Sequence, residues 1–321
     1  MSIKKLNDKI FLSSIISMAR PETVKQRNIE HILRLDNIYA LNWKDDSFKV
    51  LHLPVVGEIT PKQFQLGTAH LHAHERVLIQ GHTGSNLAVV MALAYAIEYE
   101  GLTLATAFTR MILQVHDVYP ESRFIRNLVV HYKQPYDRDR INRPGFLESL
   151  VGEAQSNINE VLPNLYIGSV LALKKQDKIR ELGITGVLRL DRIKRQMSQW
   201  DDDFTLKDLP LPDHAPLSAE NLHKGIDFIH EQHQAGNKVF VHCQMGVSRA
   251  STFTIGYLVK YKNMNLAQAY RTVYNARPII NPSWILLSSL VEHLNLPYTH
   301  LDVTSDGFLT RLLAEANTAP S

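Results

Sequence analysis

The stretch His242-Cys243-Gln244-Met245-Gly246-Val247-Ser248-Arg249 decides the reading of this chain, and it holds the only cysteine among 321 residues. Lys238-Val239-Phe240-Val241 before it reads as a buried strand, and the run from Ala250 to Leu258 after it reads as a helix. The loop therefore carries the chain from a strand to a helix N-terminus. Backbone N–H groups are unsatisfied there, and the helix dipole favours an anion. Each residue type has a chemical use in that place. An ordinary thiol is only a few per cent ionised at neutral pH, and a helix N-terminus beside a guanidinium lowers thiol pKa values by several units. Arg249 offers a planar fork matched to two phosphate oxygens. Gly246 lets the backbone bend so that successive N–H groups converge on one anion. His242 is expected to hydrogen-bond the loop backbone and hold the cysteine in place.

These residues resemble the His-Cys-x5-Arg signature of cysteine-dependent protein phosphatases, most closely the dual-specificity branch. Leu165-Tyr166-Ile167-Gly168-Ser169 looks like the family's opening strand and turn, and Gly183 to Leu190 like its next buried strand. Asp213 stands 30 residues before Cys243 (243 − 213), where the family places its general acid. The resemblance implies Cys243 as nucleophile, with Arg249 and the backbone of Gln244, Met245, Gly246, Val247 and Ser248 holding the phosphoryl oxygens. It implies Asp213 as the group that protonates the leaving oxygen and then takes a proton from water. No metal and no cofactor are implied. Asp208 and the run Asp201-Asp202-Asp203 are competing carboxylates that sit earlier in the segment.

Two departures bear on rate. The family usually has Ser or Thr directly after the arginine, where this chain has Ala250; Ser251 follows, turned about 100° away on a helix. The family usually has Pro-Asn where this chain has Pro282-Ser283. The first points to slow breakdown of a phosphoenzyme, and both together point to an enzyme that is competent but not fast. The positions between Cys243 and Arg249 carry no Lys or Arg, which favours phosphotyrosine, phosphoserine or phosphothreonine on a protein or peptide over a polyanionic inositol lipid. Two other readings stand beside this one: a phosphoprotein-binding pseudophosphatase or scaffold with little turnover, and a persulfide carrier that has no need of Asp213.

The chain also repeats itself. Ile32-Leu33-Arg34-Leu35-Asp36 matches Val187-Leu188-Arg189-Leu190-Asp191 at an offset of 155 (191 − 36), and Phe11–Ser14 matches Tyr166–Ser169 at the same offset. Leu53–Val56 matches Leu209–Pro212 at 156, and Leu104–Phe108 matches Leu266–Tyr270 at 162 (266 − 104). The repeat sets Gly81 at the cysteine position, Leu87 at the arginine, Gln80 at the histidine and Gly57 at Asp213. Gly84 keeps the loop bend, and His82 stands one residue late with no cationic partner. The first copy thus reads as a degenerate, pseudophosphatase-type domain.

The expected architecture is α/β: two tandem cysteine-phosphatase-like domains, each a central mostly parallel sheet flanked by helices. The expected boundaries are 1–138 for the degenerate copy, 139–156 for a linker, 157–298 for the catalytic copy and 299–321 for a tail with a docking helix. The two copies are expected to pack on each other. Hydrophobic content of 45% and charged content of 21% describe an ordinary globular chain, and a net charge of +3 with scattered Lys and Arg gives no case for nucleic acid. One cysteine rules out an internal disulfide and a cysteine-based zinc site. His70, His72 and His74 give one helical pair, His70 with His74, in a polar stretch, and no metal site is expected there. No signal peptide is evident, and the apolar run Leu87 to Ile97 is too short to span a bilayer. A reducing cytoplasm is the expected compartment, as a reactive thiolate requires.

Overall fold

The computed structural model of the chain describes residues 3–14, 21–36, 47–81, 86–115, 118–191, 204–212 and 214–318. The chain forms two compact units, residues 1–151 and 152–321. In the first, the elements run β1 (Lys4–Lys5), β2 (Ile10–Ser14), α1 (Pro21–Lys25), β3 (His31–Arg34), β4 (Lys49–His52), α2 (Pro61–Ala73), β5 (Val77–Gly81), α3 (Leu87–Glu100), α4 (Leu104–Gln114), α5 (Ser122–His131), α6 (Arg138–Ile141) and α7 (Phe146–Gln155). In the second they run β6 (Asn159–Leu162), β7 (Leu165–Ser169), α8 (Gln176–Glu181), β8 (Ile184–Arg189), β9 (Thr205–Asp208), α9 (Ala219–Gln234), β10 (Lys238–Cys243), α10 (Arg249–Lys262), α11 (Leu266–Ala276), α12 (Trp284–His293), α13 (His300–Thr304) and α14 (Phe308–Thr318).

Each unit holds one five-stranded sheet, ordered β1-β2-β5-β3-β4 and β6-β7-β10-β8-β9. In both, only the first edge pair is antiparallel; the other pairs are parallel. The middle strands β5 and β10 are buried nearly throughout, as helices on both faces of a parallel sheet require. That is why Val77-Leu78-Ile79 and Val239-Phe240-Val241 read as continuous apolar runs rather than alternating ones.

The ladders align the two units without reference to side-chain identity. Gly81 faces Ser14 at the end of its strand pair, and Cys243 faces Ser169 at the end of the other. Gln80 pairs with Arg34 as His242 pairs with Arg189. Arg34 pairs with His52 as Arg189 pairs with Asp208.

The units divide between Val151 and Gly152, within the stretch 139–156 expected to be a linker. That stretch is largely the helices α6 and α7, which stand 162 residues before α13 and α14 (300 − 138 and 308 − 146). The Tyr136 ring meets Phe146 edge-on at 5.5 Å and 79°, and Tyr298 meets Phe308 at 5.5 Å and 81°. The repeat therefore runs through both stretches, and residues 139–156 are largely helical where a linker is expected. In the tail, Phe308 and Leu312 are buried in the core of the second unit. Among the described residues no helix is long and apolar enough to cross a membrane.

Several histidines of the first unit are held below their ordinary pKa. Burial brings His70 down to about 4, with His74 and His31 adding to the shift; burial is also the leading cause at His31 and His74.

Candidate active site

Cys243 closes β10, is 2% exposed, and is not in a disulfide. The five residues after it form a loop, and α10 begins at Arg249. The loop's carbonyls all have donors elsewhere. Gln244 O accepts from the Val170 amide at 3.3 Å, and Val247 O from the Asn281 amide at 3.0 Å. Met245 O and Gly246 O accept from Arg277 Nη2 and Nε at 3.2 and 2.8 Å. Ser248 O accepts from the Thr252 amide at 3.0 Å, as the first turn of a helix requires. A peptide's C=O and N–H point in opposite directions. With the carbonyls tied outward, the amides of residues 245–249 turn toward the opposite side, where Cys243 stands. The Gly246 amide donates to Cys243 Sγ at 3.3 Å. This is a nest for an anion, with a sulfur at its base.

Gly246 is required by this path. Its φ is +66°, and an added Cβ would lie 2.4 Å from Gly168 O and 2.9 Å from Arg277 Nη2.

Arg277 is the site residue that sequence reasoning missed. It is 1% exposed and serves five acceptors. Besides Met245 O and Gly246 O these are Gln155 O at 3.3 Å, Asn157 O at 3.2 Å and Asn159 Oδ1 at 2.7 Å. Burial pushes its pKa down to about 10, with the charge of Cys243 working in the other direction. Its segment was read for the missing asparagine. The only sequence signal for Arg277 is an arginine directly after the apolar face of α11, at the cap position.

Arg249 is 4% exposed, and its Nη1 donates to Leu190 O at 3.3 Å and Leu211 O at 2.9 Å. The Leu211 amide in turn donates to Leu190 O at 3.3 Å. The guanidinium is thus joined to the segment that leads into Asp213. Asp213 itself lies outside the described residues, as do Asp201, Asp202 and Asp203. Of the competing carboxylates, Asp208 is paired with Arg189, whose Nε donates to Oδ1 at 3.0 Å.

The His242 ring differs from expectation. It is fully buried, stacks near Phe240 with centroids 5.4 Å apart, and sets Nδ1 3.2 Å from Asp191 Oδ2. It makes no hydrogen bond to the loop backbone. Its backbone carbonyl does bind locally, accepting from the Leu190 amide at 3.0 Å. The sequence could not distinguish these, because Asp191 lies 51 residues upstream (242 − 191).

Ala250 is fully buried. The next hydroxyl is spent on the helix: Ser251 Oγ lies 2.7 Å from both Val247 O and Ser248 O. Ser283 caps α12, and its amide donates to Ser248 Oγ at 3.1 Å. That anchor needs only a backbone N–H, so it survives without the asparagine.

The first unit keeps the scaffold around its own loop. The residue before α3, Asn86, has φ −119° and ψ −82°, and Ser248 before α10 has φ −112° and ψ −72°. The Glu121 amide donates to Asn86 Oδ1 at 2.9 Å, as the Ser283 amide does to Ser248. The side chains differ: α3 starts with Leu87, β5 ends in Gly81, and Val115 stands at the capping position that matches Arg277. Asp36 binds Arg34 Nε at 2.9 Å, where the second unit has Asp191 beside His242. Gly57 has φ +78° and open space around it. His82 and Gly84 lie outside the described residues.

Comparison with known proteins concerns the second unit. Among solved structures, the human tyrosine phosphatase-like serine/threonine/tyrosine-interacting protein is 24% identical, covering 43% of this chain and 95% of that one at a TM-score of 0.39. Dual specificity protein phosphatase 1 of Homo sapiens and its 1-A counterpart of Xenopus laevis are each 31% identical over 134 residues, 41% of this chain and 36% of theirs. Dual specificity protein phosphatase 5 of Homo sapiens is 27% identical over 172 residues, 50% of this chain and 44% of that protein. The chain thus spans about a third to under half of the length of these curated relatives. The family model described as "Dual specificity phosphatase, catalytic domain" matches residues 165–295, from the start of β7 past the end of α12. Strand, cradle and helix all fall within that match, and residues 165–295 of the second unit are similar to the dual-specificity phosphatase catalytic domain.

Proposed function

We propose that the second unit hydrolyses phosphomonoesters on phosphorylated proteins or peptides through a phosphocysteine. The Cys243 thiolate attacks phosphorus, the phosphorus–oxygen bond to the substrate breaks, and Asp213 gives its proton to the departing oxygen. Water then attacks the phosphocysteine, Asp213 takes a proton from it, and phosphate leaves with the thiolate restored. Arg249 and the amides of residues 245–249 hold the phosphoryl oxygens through both steps. Fixed dipoles of this kind stabilise developing charge without reorganising. The observation that carries the reading is the set of outward-tied loop carbonyls, which commits the amides to an anion beside the sulfur.

The test is turnover of an aryl phosphate and of phosphopeptides by the full chain. Cys243→Ser should abolish it, and Asp213→Asn should lower kcat by about 10²–10⁴. A phosphoenzyme trapped on Cys243 supports the reading; activity that survives Cys243→Ser refutes it. A preference for soluble inositol phosphates would overturn the substrate class.

The second reading is a phosphoprotein binder with little turnover. It is favoured by the buried Ala250 and by the engagement of the Ser251 hydroxyl with helix carbonyls. A slow enzyme gives a stoichiometric phenolate burst, whereas a binder gives none. In either case the first unit is a non-catalytic companion, because the positions of its nucleophile, clamp and acid are Gly81, Leu87 and Gly57.

A further inference from the structure

Among the described residues, the first unit holds a histidine cluster that the second does not. His31 opens β3, and His70 and His74 stand one turn apart at the C-terminal end of α2. The fold closes the 39-residue gap between His31 and His70 (70 − 31), so one nitrogen from each of the three rings lies within 4.8 Å of the others. Ring centroids are 3.6 Å apart for His31 and His74, 4.6 Å for His70 and His74, and 5.8 Å for His31 and His70. Two nitrogens in this group, His31 Nδ1 and His70 Nε2, are buried and make no hydrogen bond. A buried polar atom without a partner costs about 1–3 kcal/mol, so a ligand that satisfies both is favoured. All three residues are partly shielded from solvent.

We propose that His31, His70 and His74 form a binding site for a divalent ion of the Zn²⁺ class, pinning the start of β3 to the end of α2. Imidazole nitrogens suit zinc and its late first-row neighbours, and three of them plus a water complete a tetrahedron. Metal–nitrogen bonds of about 2.0–2.1 Å place the ligand nitrogens about 3.4 Å apart. From 4.8 Å, each nitrogen must move inward by about 0.8 Å or less, which side-chain rotation supplies. The lysines near the cluster, Lys9 and Lys49, oppose a cation, and Glu30 beside His31 favours one.

The comparison between units sharpens this. By sheet register His31 corresponds to Gly186, since each lies beside a matched residue of the central strands, Val77 and Val239, four positions before Gly81 and Cys243. Helices α2 and α9 start from matched caps, Thr60 and Ser218, which sets His70 against Phe228 and His74 against Gln232. The second unit keeps the same proximity: a Cβ on Gly186 would lie 3.2 Å from Gln232. The place is therefore common to both units, and ligands occur only in the one that lost its catalytic residues. The site is at the N-terminal end of the parallel strands, the end opposite the phosphatase-type loop, so it is separate from phosphoryl chemistry.

The experiment uses the full chain without an affinity tag, stripped of metal and titrated with ZnCl₂ and CoCl₂. The expected result is about one equivalent bound, visible Co²⁺ bands of a tetrahedral nitrogen site, no thiolate charge-transfer band, and a raised melting temperature. The variant His31→Gly/His70→Phe/His74→Gln installs the residues of the second unit and should lose the site. Should that triple variant fail to fold, His74→Gln alone, at the helix end, should weaken Zn²⁺ binding at least tenfold. Cys243→Ser should leave it unchanged. Less than a tenth of an equivalent in the wild type, equal affinity in His74→Gln, or loss of binding in Cys243→Ser would each overturn the proposal.

Discussion

Replacing Arg277 tests the geometry most directly. Its guanidinium meets five acceptors drawn from the catalytic loop and from the segment 155–159. A hydrogen bond from a charged donor contributes about 1.5–3 kcal/mol, so five taken at face value would equal the whole stability of a typical domain. They are not additive, and burying the cation offsets much of the gain. Arg277→Met leaves buried carbonyl oxygens without a donor, at about 1–3 kcal/mol for each that stays unpaired, so a loss of about 3 kcal/mol or more is expected. Arg277→Lys keeps the charge but loses the fork, and about 2–3 kcal/mol is expected. For a unit of this size each kcal/mol lowers Tm by about 2–4 °C, so the Lys variant should melt about 4–12 °C lower. The assay pairs thermal melting with amide exchange at residues 244–248. Exchange at the Gly246 amide should accelerate, because its neighbouring carbonyls have lost their anchor. Melting within about 1 °C of wild type, with exchange in the loop unchanged, would refute the claim that Arg277 aims the cradle.

Other substitutions probe separate parts of the argument. Gly246→Ala puts a Cβ 2.4 Å from a backbone oxygen at φ +66°, and it should lower stability by about 2 kcal/mol or more and abolish phosphate binding, read by urea denaturation and vanadate inhibition. Ala250→Ser should raise the steady-state rate while leaving the burst amplitude unchanged, in stopped-flow turnover of an aryl phosphate. The glycines Gly67 and Gly225 sit at matched positions of α2 and α9, yet they should respond differently to Ala. At Gly225 the new methyl would lie 2.2 Å from the buried Phe253 ring, and about 2–3 kcal/mol is expected; at Gly67 it meets the flexible end of Met91 at 2.6 Å, and about 1 kcal/mol or less is expected. Thermal unfolding of both variants checks the contrast.

The loop was legible in the sequence because its logic is local. A strand, a bend glycine and a helix start are contiguous, and the chemistry follows from their order. The repeat was legible because β3 and β8, which flank the middle strands, keep the same buried leucines, so Leu-Arg-Leu-Asp recurs in both units. What escaped depends on distant segments meeting. Arg277 matters because carbonyls from residues 155–159 and 245–246 converge on it, and no spacing encodes that convergence. His242 turns to Asp191, and His70 and His74 gain His31, for the same reason. The short helix α6 was hidden by polar composition, since Ile141 is its buried position, whereas a helix over 145–154 was legible and corresponds to α7.

The Asn86–Glu121 contact shows how far backbone path and side-chain chemistry can be separated. The residue before α3 holds nearly the torsions of the residue before α10, although the side chains around the two corners differ. A β-carbon on Gly81 would come to rest 3.3 Å from the Ala88 amide nitrogen, close but not colliding with an immovable wall. Among the described residues, the two corners thus differ in side chains more than in backbone path, so grafting side chains from one onto the other asks for a few substitutions rather than a new architecture.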